Sequence, residues 1–150
     1  MNQHQIMIRF PSNPRFMQVV RGVISHMTGL AGFSEKETRL VTLAVDEACT
    51  NIMRHTYKNE PCQPIEAWCT IDKEYLLFQL LDYGEAIDPS RIRHRELDEV
   101  RPGGLGTFFM KNIMDTVEYR QRPEGGNEIR MIKKLPSQKS DSGADPPGPG

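Results

Sequence analysis

The chain has 150 residues, the size of a single domain, and this length is sufficient to bury a hydrophobic core. Its net charge is −1 with 26% charged residues, so no strong electrostatic field favours nucleic acid or an anionic membrane. No apolar run approaches the roughly 20 residues of a membrane span, and the polar N-terminus lacks a secretory signal, so we expect a cytoplasmic protein without direct nucleic-acid or membrane binding.

The three cysteines are Cys49, Cys62 and Cys69, an odd number without the Cys-x-x-Cys spacing of zinc sites. This pattern argues against a disulfide framework and favours a reducing compartment. We expect each cysteine to be a small, buried or partly buried thiol rather than a nucleophile.

The chain opens with a predicted strand and helix. Residues 5–10 alternate apolar and polar side chains, which predicts a short strand. Ser12 or Asn13 can cap a helix that has Pro14 in its first turn, where the missing N–H costs nothing. This helix is expected to end near Gly29.

A second helix is predicted to begin at a capping box, in which Ser34 and Glu37 satisfy each other's backbone donors, and to run to about Tyr57. Helical spacing stacks its apolar side chains into one stripe, which is typical of a helix packed on a core. The stripe consists of Val41, Val45, Ala48 and Ile52.

A polar ridge lies on the same helix, away from that stripe. Glu47, Asn51 and His55 follow one another at intervals of four residues, with Arg54 beside them. A carboxylate, a carboxamide and an imidazole on one ridge suit a hard metal ion, or a hydroxyl that must lose a proton. An ordinary solvated helix face has the same spacing, so this helix alone leaves both interpretations open.

The remaining pattern predicts four strands and a third helix. Strands are predicted at 65–71 and 75–81, which form a hairpin, and at 117–122 and 127–135. The strand at 75–81 is apolar nearly throughout, which favours a central place in the sheet. With a helix at 105–115, the element order predicts an α+β fold, a two-layer α/β sandwich with helices on one face of a mixed, mostly antiparallel sheet.

The predicted domain covers residues 1–135. Within it, a polar and charged stretch at about 85–106 has little periodicity, and loops of this length are usually functional lids or disordered segments; we expect a lid here. Residues 136–150 are rich in Pro, Gly, Ser and Asp and are expected to be a disordered C-terminal tail.

A glycine-rich stretch opens the third predicted helix, with Gly103, Gly104, Leu105 and Gly106 in succession. Backbone N–H groups and the helix dipole receive phosphate at such places, although glycines before a helix also occur in plain loops. The stretch is neither a P-loop nor the dinucleotide-binding fingerprint.

Asp82 ends the apolar strand at 75–81 and is followed two residues later by Gly84. An unpaired carboxylate at the end of a buried strand is costly, so Asp82 needs a partner. A ligand is one such partner, and the backbone of the adjoining turn is the alternative.

Together, these segments resemble the sequence boxes of the GHKL ATPases, the Bergerat-fold superfamily of DNA gyrase, histidine kinases and MutL. Asn51-x-x-x-His55 is similar to the N box, Asp82-x-Gly84 to the first glycine box, and the stretch at 103–106 to the second. The resemblance covers nearly the whole predicted domain. Within the superfamily, the chain is most similar to the RsbW-type anti-sigma factor serine/threonine kinases.

The resemblance implies a role for each matching residue. Asp82 would accept the adenine amino group, Asn51 would hold Mg²⁺ through the phosphates of ATP, and Glu47 would be the catalytic base that takes the substrate hydroxyl proton. The remaining implied nucleotide-binding residues are Arg54, His55, Gly84, Gly103, Gly104, Leu105, Gly106, Thr107 and Asn127.

Two positions depart from the pattern of many relatives. Ala86 stands near the place of a second glycine in the first box, which puts the mobility of the lid in doubt. Thr107 stands where an aliphatic residue is common. Neither departure removes a catalytic group.

The implied function is that of an ATP-dependent serine/threonine kinase in partner switching. Such a protein would phosphorylate a STAS-domain anti-anti-sigma antagonist, would hold a sigma factor or other output protein, and would act as a homodimer. The alternative is a non-catalytic nucleotide-binding module that sequesters the output protein. The ATPase half of a histidine kinase is disfavoured, because no helical dimerisation segment with a phosphoacceptor histidine is present.

Overall fold

The computed structural model describes residues 3–86 and 110–136. Its elements are β1 (His4–Pro11), a 3-10 turn (Pro14–Phe16), α1 (Met17–Leu30), α2 (Glu35–Asn51), a π-helical turn (Ile52–Thr56), β2 (Pro64–Ile71), β3 (Tyr75–Asp82), β4 (Thr116–Gln121) and β5 (Asn127–Lys134). Residues 110–113 are also helical, in agreement with the end of the third predicted helix. Apart from residues 85, 86 and 136, the predicted lid and tail lie outside the described residues.

The five strands form one sheet in the order β1-β2-β3-β5-β4. All four pairings are antiparallel, and β3 lies at the centre between β2 and β5. This confirms the predicted hairpin, the central position of β3 and the mostly antiparallel sheet. The parallel component of the predicted mixed sheet does not occur among the described strands.

The hydrophobic core lies between the sheet and the two helices. On β3, Leu76, Phe78 and Leu80 point to this side and are at most 1% exposed, because alternate side chains of a strand face the same layer. The apolar stripe predicted on α2 faces them and is buried, which confirms the helix phase and the two-layer architecture. Its members are Val41, Val45, Ala48 and Ile52.

Both predicted helix caps form. The Asn13 side chain accepts a hydrogen bond from the Arg15 amide at 3.0 Å, and the Ser34 hydroxyl accepts one from the Glu37 amide at 3.2 Å. Each bond satisfies a backbone donor that has no partner inside the helix. In the second case one half of the predicted capping box is present, since no described bond joins the Glu37 carboxylate to the Ser34 amide.

The predicted single helix from residue 34 to Tyr57 is wrong in its last turn. The α-helix ends at Asn51, and Ile52–Thr56 forms a π-helical turn. There the Tyr57 amide donates to the Ile52 carbonyl oxygen, five residues back, at 3.0 Å. The turn is therefore one residue wider than an α-helical turn, and such turns are frequent at functional sites.

Two charged side chains of β5 are buried, and each has partners. Glu128 is 2% exposed and accepts hydrogen bonds from Gln79, at 2.9 Å, and from Arg120. Lys133 is 7% exposed and donates to the Ile113 carbonyl oxygen at 2.7 Å. Lys133 thereby attaches the end of the helical segment 110–113 to the sheet. In residues 3–86 and 110–136, no helix is long and apolar enough to cross a membrane.

Candidate nucleotide-binding site

Asp82, the last residue of the central strand, has a buried carboxylate whose two oxygens differ in their hydrogen bonding. It is 2% exposed. Its Oδ1 accepts three hydrogen bonds, from the Gly84 amide at 3.1 Å, the Asn127 amide at 3.1 Å and Asn127 Nδ2 at 3.0 Å. No described residue donates a hydrogen bond to Oδ2. Because an unsatisfied buried acceptor is costly, Oδ2 is the atom on which a ligand donor fits.

Asn127, at the start of β5, fixes the orientation of this carboxylate. Besides its two bonds to Asp82, its Nδ2 donates to the Glu85 carbonyl oxygen at 2.8 Å. Asn127 therefore holds Asp82 and the first residue of the predicted lid together. Its bonds to the described residues orient the Asp82 carboxylate, and the nucleotide contact that the resemblance implies for Asn127 stays a prediction.

The environment of Asp82 disfavours its charge. Burial raises the pKa of this carboxyl group, and the bonds from Asn127 and Gly84, together with the nearby Arg122 guanidinium, offset part of that rise. Arg122 also donates to the Asp82 carbonyl oxygen at 3.1 Å. The bond from the Gly84 amide to Oδ1 closes the adjoining turn, as the structural alternative requires, and Oδ2 has no donor among the described residues, so a ligand can bind there as well.

Gly126 precedes Asn127 and lies directly against Asp82. A Cβ at Gly126 would overlap the Asp82 carbonyl oxygen, and its φ of +86° lies in the region that favours glycine. Close contact between the end of β3 and the β4–β5 turn therefore requires a glycine at this position.

Replacing Gly126 with alanine is expected to lower the free energy of unfolding by more than about 2 kcal/mol, because left-handed strain and the overlap add. The affinity for adenine nucleotides should fall as well, since Asp82 has to move. The matched control is Gly22→Ala on α1, where nothing lies within 4 Å of the added Cβ. The free energy of unfolding of the Gly22→Ala variant should rise by roughly 0.5–1 kcal/mol. Urea unfolding measures the free energy of unfolding of both variants. A Gly126→Ala variant as stable as the wild-type protein would contradict this prediction.

The predicted polar ridge lies at the end of α2. Glu47 and Asn51 are half-buried in its last turns, and neither side chain bonds to any described residue. Arg54 and His55 are exposed and belong to the π-helical turn, which widens the spacing assumed for an unbroken α-helix. The arrangement offers a carboxylate and a carboxamide, one turn apart, to a ligand beside the helix.

The end of the π-helical turn that follows α2 is in direct contact with residues 82–84, here called the Asp82 corner. The Tyr57 hydroxyl accepts a hydrogen bond from the Tyr83 amide at 2.8 Å. A Cβ at Gly84 would overlap the Thr56 methyl group, so Gly84 is needed for this contact whether or not a base approaches it. The structure thus brings two of the three predicted boxes together.

The third box lies outside the described residues. Gly103, Gly104, Leu105, Gly106 and Thr107 all fall within residues 87–109. Their expected contacts with phosphate stay predictions.

The cysteines follow the expectation at two of three positions. Cys49 and Cys69 are buried, which raises the pKa of Cys69 to about 12 and that of Cys49 further, so both stay protonated. Cys62 is exposed, contrary to the prediction, because it lies in the loop before β2. The described residues contain no group of three or more His, Cys, Asp or Glu side chains that suits a metal ion.

Comparison with known proteins identifies the domain. The sequence matches the family model of the histidine kinase-like ATPase domain over residues 10–133. The chain belongs to this family. The matched range includes β2 to β4, both helices and nearly all of β5, and this membership confirms the predicted superfamily and the Bergerat-type α+β sandwich.

Several relatives of this histidine kinase-like ATPase domain have the same name. The chain is 26% identical over 147 residues to the serine-protein kinase RsbW of Bacillus licheniformis, covering 92% of this chain and 90% of the relative. It is 27% identical over 152 residues to RsbW of Oceanobacillus iheyensis, covering 96% and 95%. It is 29% identical over 142 residues to RsbW of Staphylococcus epidermidis, covering 89% and 88%. The predicted similarity to RsbW-type kinases is thereby confirmed.

Proposed function

We propose that this protein is an ATP-dependent serine/threonine kinase and anti-sigma factor of the partner-switching type. It phosphorylates a STAS-domain anti-anti-sigma antagonist and holds a sigma factor or other output protein, and it works as a homodimer. The observation that carries the proposal is the presence, in one histidine kinase-like ATPase domain, of a buried carboxylate, Asp82, and of a second carboxylate, Glu47, one helical turn from the Asn51 carboxamide. The similarity to serine-protein kinases along nearly the whole chain supports it.

Asp82 supplies the adenine end of the proposed site. Its Oδ2 accepts the adenine amino group, and its Oδ1 is held by Asn127 and Gly84 so that the carboxylate cannot rotate away. A ligand with a carbonyl oxygen at this place, such as guanine, would bring one hydrogen-bond acceptor against another, and no hydrogen bond would form. This arrangement selects adenine.

Asn51 and Glu47 supply the reactive end. The Asn51 carboxamide oxygen is the expected protein ligand of Mg²⁺, an ion that prefers a few protein oxygens together with phosphates and water. When bound, Mg²⁺ neutralises charge on the phosphates. Phosphoryl transfer otherwise depends mainly on positioning, with a carboxylate to receive the hydroxyl proton.

In the proposed reaction, Glu47 accepts the proton of a serine or threonine hydroxyl of the protein substrate. The hydroxyl oxygen forms a bond to the γ-phosphorus, and the bond between that phosphorus and the β,γ-bridging oxygen breaks, which leaves ADP. Arg54 is exposed beside Asn51 and has no ion pair with a described residue, so it is placed to stabilise negative charge on the phosphates.

The second candidate is a non-catalytic nucleotide-binding module. Glu47 argues for the kinase, because a module that merely binds nucleotide has no need of a carboxylate that pairs with no described residue and lies one turn from the proposed metal ligand. The two candidates differ in phosphoryl transfer and agree in nucleotide binding.

Calorimetry with ATP, in the presence and absence of Mg²⁺, followed by transfer of labelled γ-phosphate to purified STAS-domain proteins, tests the proposal. We expect Mg²⁺-dependent binding and labelling of one STAS protein on serine or threonine. Binding without transfer to any STAS protein would favour the non-catalytic module, and absence of ATP binding would reject both.

A further inference from the structure

Tyr57 follows the π-helical turn and bridges three segments of the chain. Its ring is 6% exposed. Its hydroxyl donates a hydrogen bond to the Pro64 carbonyl oxygen at 2.6 Å and accepts one from the Tyr83 amide at 2.8 Å. One oxygen therefore joins the end of the α2 helical run to the start of β2 and to the residue after Asp82.

A second contact lies beside the first. The Thr56 methyl group occupies the space that a side chain at Gly84 would need, and the Tyr57 ring lies 3.5 Å from that same position. The helical run thus docks on the Asp82 corner through one hydrogen bond and one packed methyl group. Neither contact belongs to the strand pairings or to the hydrophobic stripe of α2.

The backbone departs from regular α-helical geometry on both sides of Tyr57. The π-helical turn widens the helix by one residue, as the bond from the Tyr57 amide to Ile52 shows. Lys58 and Asn59 then adopt left-handed φ values of 51° and 65°, which cost non-glycine residues energy. Such unfavourable conformations persist where the surrounding structure over-determines them, and they cluster at functional sites.

We propose that Tyr57 is a positioning residue that sets the distance between the adenine acceptor Asp82 and the pair formed by Asn51 and Glu47. The inference rests on the proposed function, because it assigns those groups to the two ends of one bound ATP molecule. Tyr57 does not touch the nucleotide. It keeps the two ends at the separation that ATP spans, and burial raises its pKa so that the hydroxyl retains the proton donated to Pro64.

Residues other than Tyr57 hold the carboxylate and the carbonyl oxygen of Asp82. Asn127 holds the Asp82 carboxylate, and Arg122 holds the Asp82 carbonyl oxygen. Loss of the Tyr57 hydroxyl should therefore leave adenine recognition in place and disturb the position of Asn51 relative to it. A ligand that reaches both ends should lose affinity, whereas one that occupies the corner alone should not.

The test compares Tyr57→Phe with wild type by calorimetry, using MgATP and adenosine as probes. We expect the Kd for MgATP to rise about tenfold, the equivalent of one lost buried hydrogen bond, and the Kd for adenosine to stay within about twofold. In an Asn51→Ala background the same substitution should have no further effect on MgATP. The matched control is Tyr75→Phe at the opposite end of β3, whose hydroxyl has no hydrogen-bond partner among the described residues.

Equal losses for MgATP and adenosine, or no loss for either, would overturn the inference. If Tyr57→Phe does not fold, Thr56→Ser decides, because it removes only the methyl group that packs on Gly84 and should show the same selective loss. Failure of wild-type protein to bind either ligand would instead contradict the proposed function, so the two failures are distinguishable.

Discussion

Replacing Glu47 with glutamine is expected to reduce phosphoryl transfer to the protein substrate by about 100- to 10,000-fold, the usual contribution of a catalytic base. The Kd for MgATP should stay within about twofold of wild type. Glutamine has nearly the same shape as glutamate but cannot accept the hydroxyl proton. Since Glu47 makes no hydrogen bond or ion pair with a described residue, its replacement removes no structural contact there.

Single-turnover transfer of labelled phosphate at saturating MgATP measures this effect, with calorimetry for binding. The matched control is Glu35→Gln, about three turns away on the same helix, where the side chain is exposed. Transfer in the control should be unchanged. Transfer within about fivefold of wild type in the Glu47 variant would show that another group takes the proton.

Replacing Asp82 with asparagine is expected to weaken adenine nucleotide binding at least about 100-fold, since a charge-assisted bond is lost and a donor then faces the adenine amino group. The same substitution should stabilise the free protein at neutral pH. Asparagine can keep its oxygen toward Asn127 and Gly84, while the cost of burying a charge disappears. Binding and stability should therefore change in opposite directions.

The pH dependence gives the sign of the stability effect. Because burial raises the pKa of Asp82 in the folded state, the folded protein holds this proton more tightly than the unfolded chain. The stability that protonated Asp82 contributes to the wild-type protein is present at acid pH and is lost as the pH rises above the ordinary pKa range of aspartate. The variant should thus exceed wild type in melting temperature at neutral pH, and the difference should vanish in acid.

Melting curves over this pH range, with Asp72→Asn as the control, measure the effect. Asp72 accepts a hydrogen bond from the Lys73 amide in the β2–β3 turn, which an asparagine oxygen also accepts. A less stable Asp82 variant at neutral pH would show that the carboxylate is structural, and unchanged ATP affinity would remove it from the nucleotide site.

The sequence was sufficient for most of the fold, because each element follows a strong local rule. Alternating apolar residues marked the strands, the capping side chains of Asn13 and Ser34 marked the helix starts, and the nearly apolar run at Leu76–Leu81 marked the central strand. These signals depend on neighbouring residues. A single sequence is therefore sufficient to detect them.

The π-helical turn was not predictable from such rules. Residues 52–56 contain neither glycine nor proline and continue the α-helical pattern. The turn coincides with the hydrogen bonds of Tyr57 to Pro64 and Tyr83, which lie 7 and 26 positions away in the sequence, and no local pattern indicates those bonds. The sequence pattern therefore predicted a helix end at Tyr57 and did not indicate its hydrogen bonds to Pro64 and Tyr83.

The candidate site was predictable in its reactive groups and not in their supports. Residue type and spacing singled out Glu47, Asn51 and Asp82 but also fitted a solvated helix face and a turn, and the resemblance to the GHKL boxes supplied their expected roles. Arg122, Gly126 and Asn127 come 40 to 45 positions after Asp82, and no local signal ties Arg122 or Gly126 to that carboxylate. The pairing of β3 with β5, and of β5 with β4, brings them there.

The central place of β3 also bears on local unfolding. A strand with partners on both sides loses its backbone hydrogen bonds only when much of the sheet opens, whereas the edge strands β1 and β4 can separate at lower cost. Asp82 terminates this central strand, so fraying of β1 leaves the proposed adenine acceptor anchored, whereas separation of β4 would also disturb Arg122, which donates to the Asp82 carbonyl oxygen. We therefore expect ligand exchange and opening of the β1 margin to be energetically separate events.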